Sequence, residues 1–338
     1  MPRSIPLIRA AVLSPALAFL RRVGAPVERL VEAAKLRPDV LEDREAWIPL
    51  VFANRVVELA ACRTGIPDLG LRATRDVHPF ELGTYGRLIA EPGTLRGALE
   101  TSQQMKLAWN SGERVRLTRV GREIHLEHRF LVGCDESWRQ SVGISLMLHV
   151  NLLHQASGGR WRPRHLDLPV RASRMFQECP ILADARIDFA APAMTIRFPA
   201  SLLALPLPRP LAATSIARRP FEAAPREFAA SVRALVSSLL GTGYPGLALV
   251  ADAASMTVRT FQRRLRENAL TYSEIVSEVR RAEGSRLLVE SKMPITDIAL
   301  QLGYSDHAHF TRAFRAWTGV SPYEFRRAYR IGAASDRT

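Results

Sequence analysis

The last third of the chain carries one short pattern twice, and this repeat limits the fold more than any other feature. Each copy pairs two segments whose apolar residues recur every three to four positions, with turn residues between them. In the first copy, 247–265, Ala251 sits where two helices must approach closely, and Ala254 and Met256 fill the turn. Thr257 suits a helix N-cap, because its hydroxyl accepts from an exposed backbone N–H. The helix that follows is expected to bury Val258, Phe261 and Leu265. Its opposite side shows Arg259, Thr260, Gln262, Arg263 and Arg266.

The second copy is 295–319. Thr296 and Asp297 are expected to cap a short helix that buries Ile298, Ala299 and Leu302. Gly303 permits the turn. Ser305 is expected to cap a second helix that buries Phe310, Ala313, Phe314 and Trp317 and exposes Asp306, His307, His309, Arg312 and Arg315. Gly319 ends it, and Pro322 starts a last helix carrying Arg326, Arg327 and Arg330. Between the copies, 272–290 reads as one longer helix with Tyr272, Ile275, Val276, Val279 and Ala282 on its apolar face. Strand signals are absent. The expected architecture is all-α, two helix–turn–helix motifs joined by a connecting helix.

Upstream the texture is mixed α and β. Residues 51–63, 95–107 and 138–156 have helical spacing. Residues 114–120 and 122–130 alternate polar and apolar around Gly121, which predicts a hairpin, and 186–198 suggest two strands about Pro192. Residues 3–20 read as an amphipathic helix rather than a secretory signal, since Arg9 interrupts the apolar stretch and Arg21-Arg22 closes it. Pro206, Pro208, Pro210, Pro220 and Pro225 mark a semi-rigid linker. The expected organisation is an α+β domain over 1–205, a linker over 206–225 and the helical domain over 226–332.

Composition excludes several classes. With 47% hydrophobic and 24% charged residues the chain is globular. No apolar run reaches the roughly 18 residues of a membrane span. Cys62, Cys134 and Cys179 are odd in number and far apart, which argues against a disulfide scaffold or zinc cluster and fits a reducing cytoplasm. No G-x-S-x-G elbow and no P-loop is present, and the cysteines read as buried and inert. His125 and His128 fall on opposite faces of a strand, and His149 and His154 are five apart on a helix, so neither pair has ligand spacing. No catalytic residue, metal or cofactor is expected.

Lys+Arg number 47 against 33 Asp+Glu, a formal net charge of +14, so a polyanionic partner is plausible. The excess is uneven. Residues 221–338 hold 16 basic and 12 acidic residues, whereas 1–220 hold 31 and 21. A generally arginine-rich surface, an anionic small molecule and nonspecific nucleic-acid contact all remain open for the first part.

The second motif and its tail resemble the DNA-binding domain of AraC/XylS transcription regulators. The matching residues are Ile298-Ala299, Leu302-Gly303-Tyr304-Ser305, His309-Phe310, Arg312, Phe314, Gly319-Val320-Ser321-Pro322 and Phe325-Arg326. Two positions depart: Ser255 stands where the family usually has Gly, and Gly284 where it usually has Ala. The first part resembles the arabinose-binding type of effector domain through Gly83-Thr84-Tyr85-Gly86, the helix from Thr94 to Lys106, Cys179-Pro180 through Phe189, Phe198-Pro199, Leu202-Leu203 and Pro206-Leu207. That name does not imply arabinose as the ligand.

The resemblance implies a sequence-specific regulator of transcription, more often an activator. Its partners would be double-stranded promoter DNA, RNA polymerase, a small-molecule effector and a second copy of the chain, all in the cytoplasm. The alternative keeps the DNA-binding half and makes the first part a dimerisation or protein-interaction module without a small ligand. By resemblance the DNA contacts are Arg259, Thr260, Gln262 and Arg263 in the first motif and His307, His309, Thr311 and Arg312 in the second. Long polar side chains fit that role, since Arg pairs with guanine O6/N7 and Gln with adenine N6/N7 in the major groove. Two recognition helices in one chain should read segments about 34 Å apart on one DNA face. Arg264, Arg315, Arg326, Arg327 and Arg330 are expected to be phosphate contacts or solvated charge.

Overall fold

The chain begins as a strand and not as the expected helix. In the computed structural model, which describes residues 4–207, 223–225, 227–240 and 244–335, β1 (Leu7–Arg9) pairs antiparallel with β2 (Trp47–Pro49). Arg9 explains the difference. It is buried, its guanidinium lies 3.7 Å from the Trp47 ring centroid, and it donates to the Glu45 carbonyl. Pro15, tolerated only in the first turn, then fixes where α1 (Ser14–Arg22) starts.

Helices α2 (Val27–Ala33), α3 (Leu50–Thr64), α4 (Leu69–Thr74), α5 (Gly83–Ala90) and α6 (Leu95–Trp109) follow. The predicted hairpin is β3 (Glu113–Val120) and β4 (Glu123–Phe130), with Leu117 opposite Leu126 and Val115 opposite His128. Gly121, at φ +59°, makes the turn between them. Beyond it come α7 (Arg139–Ala156), β5 (His165–Asp167), α8 (Arg174–Gln177), β6 (Arg186–Asp188) and β7 (Met194–Pro199).

The five strands order β3-β4-β7-β5-β6, antiparallel except for the β5–β6 pair. Alternation turns Val115, Ile124, Leu126, Ile196 and Phe198 inward, where they share one core with Leu146, Met147 and Val150 of α7 and Trp109 of α6. Helix α6 packs on β3, and α7 packs on α3 and α4. Pro206 bridges to Thr94 and Leu207 is buried, so the first two residues of the expected linker belong to this core. Pro208, Pro210 and Pro220 lie outside the described residues.

The chain divides into two compact units, Met1–Arg226 and Glu227–Thr338. Among the described residues the second unit is all helix: α9 (Phe228–Leu239), α10 (Leu247–Ala253), α11 (Val258–Glu267), α12 (Tyr272–Glu290), α13 (Ile295–Gln301), α14 (His307–Thr318) and α15 (Pro322–Ser335). Helix α12 has the expected bounds. Thr271 and Glu274 close a capping box at its start, each side chain satisfying the other's backbone N–H. Its buried face differs from expectation at one end: Ala282 is exposed, and the stripe runs on through Gly284, Leu287 and Leu288. A Cβ on Gly284 would lie 3.1 Å from Leu302 Cδ1 and 3.4 Å from Phe310 Cε2, so this glycine marks a close approach. No described helix is long and apolar enough to cross a membrane.

Three caps and a further core position depart from the sequence reading. Asp306, and not Ser305, caps α14, its Oδ1 accepting from the His309 N–H at 2.7 Å. Thr296 and Asp297 fall inside α13, whose N-cap is Pro294. Val258 is 39% exposed although it shares the face of Phe261 and Leu265, because it is the first residue of α11.

Ser255 sits at φ +55° in the turn between α10 and α11, a conformation that costs an L-residue with a Cβ about 1–2 kcal/mol. Ser255→Gly should therefore raise stability by about 0.5–1 kcal/mol after the looser unfolded chain is allowed for. Chemical denaturation of both proteins measures it, and an unchanged midpoint would show the turn to be unstrained.

Candidate functional site

Two exposed helix faces form the candidate interface. Thr257 caps α11 by accepting from the Thr260 N–H at 3.2 Å, which sets Arg259, Gln262 and Arg263 facing outward along one side. All three are exposed. Arg263 lies 3.5 Å from Glu267, an exposed pair that holds it only weakly. Thr260 is half-buried and accepts from the Thr257 hydroxyl at 3.0 Å.

In α14, His307, His309 and Arg312 are exposed. The His309 ring is tied back, its Nδ1 lying 2.9 Å from Ser305 Oγ, while its Nε2 edge stays outward. Thr311 donates its hydroxyl proton to the His307 carbonyl at 2.7 Å and keeps only lone pairs to offer. Six of the eight expected contact residues are thus exposed, and the two threonines are partly committed to the backbone or the cap.

The cores beneath these faces orient them. Phe228 of α9 meets Phe261 edge-on at 6.1 Å, and the Arg264 guanidinium stacks over Phe228 at 4.3 Å. Arg264 is therefore a packing residue and not a solvated charge. In the second motif Phe310 and Phe314 are fully buried with Ile298, Ala299 and Leu302, and Trp317 covers them from the side. Arg326 is likewise no solvated charge, since it donates to the Leu288 carbonyl at 3.2 Å. Arg315 and Arg327 are exposed, as expected. The Arg330 side chain lies outside the described residues.

The first unit holds a feature that the sequence reading missed. Lys106 of α6, Glu113 at the start of β3 and His128 of β4 meet in the core. Lys106 Nζ lies 2.7 Å and His128 Nε2 2.9 Å from the same Glu113 oxygen. Tyr85 and Ser102 share a 2.7 Å hydrogen bond beside them, and the His149 ring of α7 stands edge-on 5.3 Å from His128. Burial alone would raise the Glu113 carboxyl. Lys106 and then His128 overcome it and hold it well below the usual carboxylate range. Burial lowers His128, so its ring is neutral. Burial, and then His128, push His149 down to about 3.

Tautomers follow. The ionised Glu113 can only accept, so His128 carries its proton on Nε2 and its Nδ1 is a bare acceptor. That Nδ1 is buried and has no hydrogen-bond partner among the described residues. His149 faces the Ser145 carbonyl with Nδ1 at 2.7 Å, so its Nε2 is also an acceptor. Spacing could not reveal this cluster, because its residues lie on five elements.

Other groups resolve into structure. His165, Asp167 and Asp188 approach metal-ligand spacing on β5 and β6. Arg197, which can only donate, faces His165 Nδ1 at 2.8 Å, so the proton sits on Nε2 toward Asp188 at 2.7 Å. A metal would need that nitrogen bare, and the group is an ion-pair network. Cys62 is exposed rather than buried, and Cys134 is half-buried with its thiol pushed by burial up to about 12. The glycines of Gly241-Thr242-Gly243-Tyr244-Pro245-Gly246 have dinucleotide-loop spacing, but helix α9 precedes them where that loop needs a strand.

Residues 250–328 match the helix-turn-helix domain model, and residues 24–207 match the arabinose-binding domain of AraC transcription regulators, N-terminal. The second match alone spans more than half of the chain. The chain belongs to the AraC family of transcription regulators. It is similar to the HTH-type transcriptional regulator VirS of Mycobacterium tuberculosis, 26% identical over 336 residues, covering 95% of this chain and 96% of that protein. The Ornithine utilization regulator of Pseudomonas aeruginosa is 23% identical over 339 residues, covering 95% and 97%. VqsM of the same organism is 42% identical over 86 residues, covering 25% of this chain and 26% of that protein. This AraC-family protein is a DNA-binding regulator of transcription and not an enzyme.

If Arg263 and Arg312 read base edges, replacing either with Ala weakens binding to a selected duplex by about 1–3 kcal/mol and leaves scrambled DNA nearly unaffected. Fluorescence anisotropy on both duplexes checks this. Equal losses on the two would assign the residue to phosphate.

Proposed function

We propose that this regulator is an activator whose first unit binds a small-molecule effector and forms a homodimer, and whose second unit reads a promoter with α11 and α14. The division would be 1–205 for sensing and dimerisation, 206–225 for the linker and 226–332 for DNA binding. Arg259, Thr260, Gln262, Arg263, His307, His309, Thr311 and Arg312 are the proposed DNA contacts, and RNA polymerase is the proposed downstream partner in the cytoplasm.

The observation that carries the effector reading is the Lys106–Glu113–His128 cluster. A buried ion pair seldom adds stability over an apolar core, and a buried acceptor without a donor costs about 1–3 kcal/mol. Such an acceptor inside a domain of the effector-binding type supports an effector that donates a hydrogen bond. Binding then acts by population shift: a ligand that favours one arrangement of the first unit changes how the recognition helices meet their half-sites.

The test is a thermal-shift screen of the full chain against amino acids, organic acids, sugars, fatty acids and cyclic nucleotides. A ligand at a hundred times its dissociation constant stabilises by about 2.7 kcal/mol. The shift should shrink in His128→Gln. A hit that His128→Gln keeps in full would move the site elsewhere in the unit. A blank across the panel, with the dimer confirmed by sedimentation, would favour a protein-interaction module.

A further inference from the structure

Arg280 joins the two halves of the DNA-binding unit. It sits mid-way along α12. Its guanidinium lies 4.5 Å from the ring centroid of Tyr304 and 5.2 Å from that of Tyr244. One terminal nitrogen donates to the Gly303 carbonyl at 2.8 Å. Tyr304 and Gly303 form the turn between α13 and α14, and Tyr244 precedes α10, so the three contacts reach both motifs.

The Tyr304 contact continues into the recognition helix α14, and the Tyr244 contact leads to the start of α10, which packs on the recognition helix α11. Tyr304 packs against Phe310 of α14 at 5.5 Å and Trp317 at 6.5 Å. Tyr244 stands edge-on to Tyr272 at 5.9 Å, and the Tyr272 hydroxyl donates to the Pro245 carbonyl, just ahead of α10. Gly303 holds φ +76°, which leaves its carbonyl aimed at α12. A planar cation between two rings resists sliding and tilting more than an aliphatic contact does, because the attraction falls off as the charge leaves the ring face.

We infer that Arg280 is a positioning residue that fixes the separation and twist of α11 and α14, and so sets the half-site spacing that the protein accepts. It does this without touching DNA. The inference rests on the reading that both motifs bind DNA at once.

The experiment uses the full chain and a duplex chosen from a random library. Derivatives carry the two half-sites at the selected spacing, one base pair closer and one base pair farther, and two more carry a single half-site each. The wild-type protein should prefer the selected spacing. Arg280→Met should reduce that preference by about tenfold, the scale of one lost cation–π contact, while single half-site affinities stay within about threefold. Arg280→Lys, which keeps the charge but not the planar fork, should fall between. Tyr244→Leu removes one ring wall at a half-exposed position and should loosen spacing in the same direction, which decides the matter if Arg280→Met does not fold. Spacing preference kept in both Arg280→Met and Tyr244→Leu would overturn the inference, as would a uniform loss on every duplex with a lowered melting temperature. Wild-type protein that binds single half-sites as tightly as the pair would instead remove the two-motif reading beneath it.

Discussion

Helix α12 buries one stripe, Ile275, Val276, Val279, Gly284, Leu287 and Leu288, and the DNA-binding unit is organised about it. The unit has no sheet among its described residues, so nothing else spans both motifs. Helices α9, α13, α14 and α15 all pack on α12. A two-turn helix such as α10 or α13 is too short to be stable alone, and most of its helicity comes from tertiary burial. The stripe on α12 supplies that burial for α13, while α9 and α11 supply it for α10. Gly284 lets the second motif come close enough for Leu302 and Phe310 to seal it, which accounts for a residue with poor helix propensity in the middle of the longest helix.

What the sequence revealed follows from where its information is local. Helix–turn–helix spacing, the αL glycines Gly303 and Gly319 and the bounds of α12 depend on neighbours within a few positions, and they were legible. So were the exposed positions Arg259, Gln262, Arg263, His307, His309 and Arg312, because a 3.6 period assigns faces. Most of the differences lie where a distant partner decides. Arg9 becomes part of a strand because Trp47 and Glu45 receive it. Arg264 and Arg326 are drawn inward by Phe228 and the Leu288 carbonyl, and no periodicity encodes those partners. Asp306 outcompetes Ser305 for the cap, since a carboxylate accepts more strongly beside the positive helix end.

The buried cluster lay beyond the sequence for a different reason. Lys106 reads as the polar end of an amphipathic helix, Glu113 as the start of a strand, and His128 as one residue of an alternating run. Only the packing of α6 onto β3, with His128 inward on β4, brings Lys106 and the neutral His128 ring to 2.7 and 2.9 Å from Glu113. The orphaned Nδ1 is more hidden still, because it depends on a tautomer that Glu113 imposes. Imidazole rings at 128 and 149 looked unrelated by spacing, and they meet because α7 crosses the inner face of the sheet.

Under the proposed effector reading, the size of one hydrogen bond to His128 limits what it could regulate. Satisfying one buried acceptor is worth about 1–3 kcal/mol, whereas moving an equilibrium from 1:99 to 99:1 takes about 5.5 kcal/mol of differential affinity. One such contact in one protomer therefore gives a graded response. Two protomers coupled in a dimer count the contact twice, and a ligand that also gains from Lys106 or from the Tyr85–Trp109 stack, whose ring centroids lie 4.8 Å apart, approaches the switching range. Under the proposed effector reading, dimerisation would be part of the sensing mechanism. The first unit would then use a second copy to turn a hydrogen bond into a change of state, which the recognition helices would report.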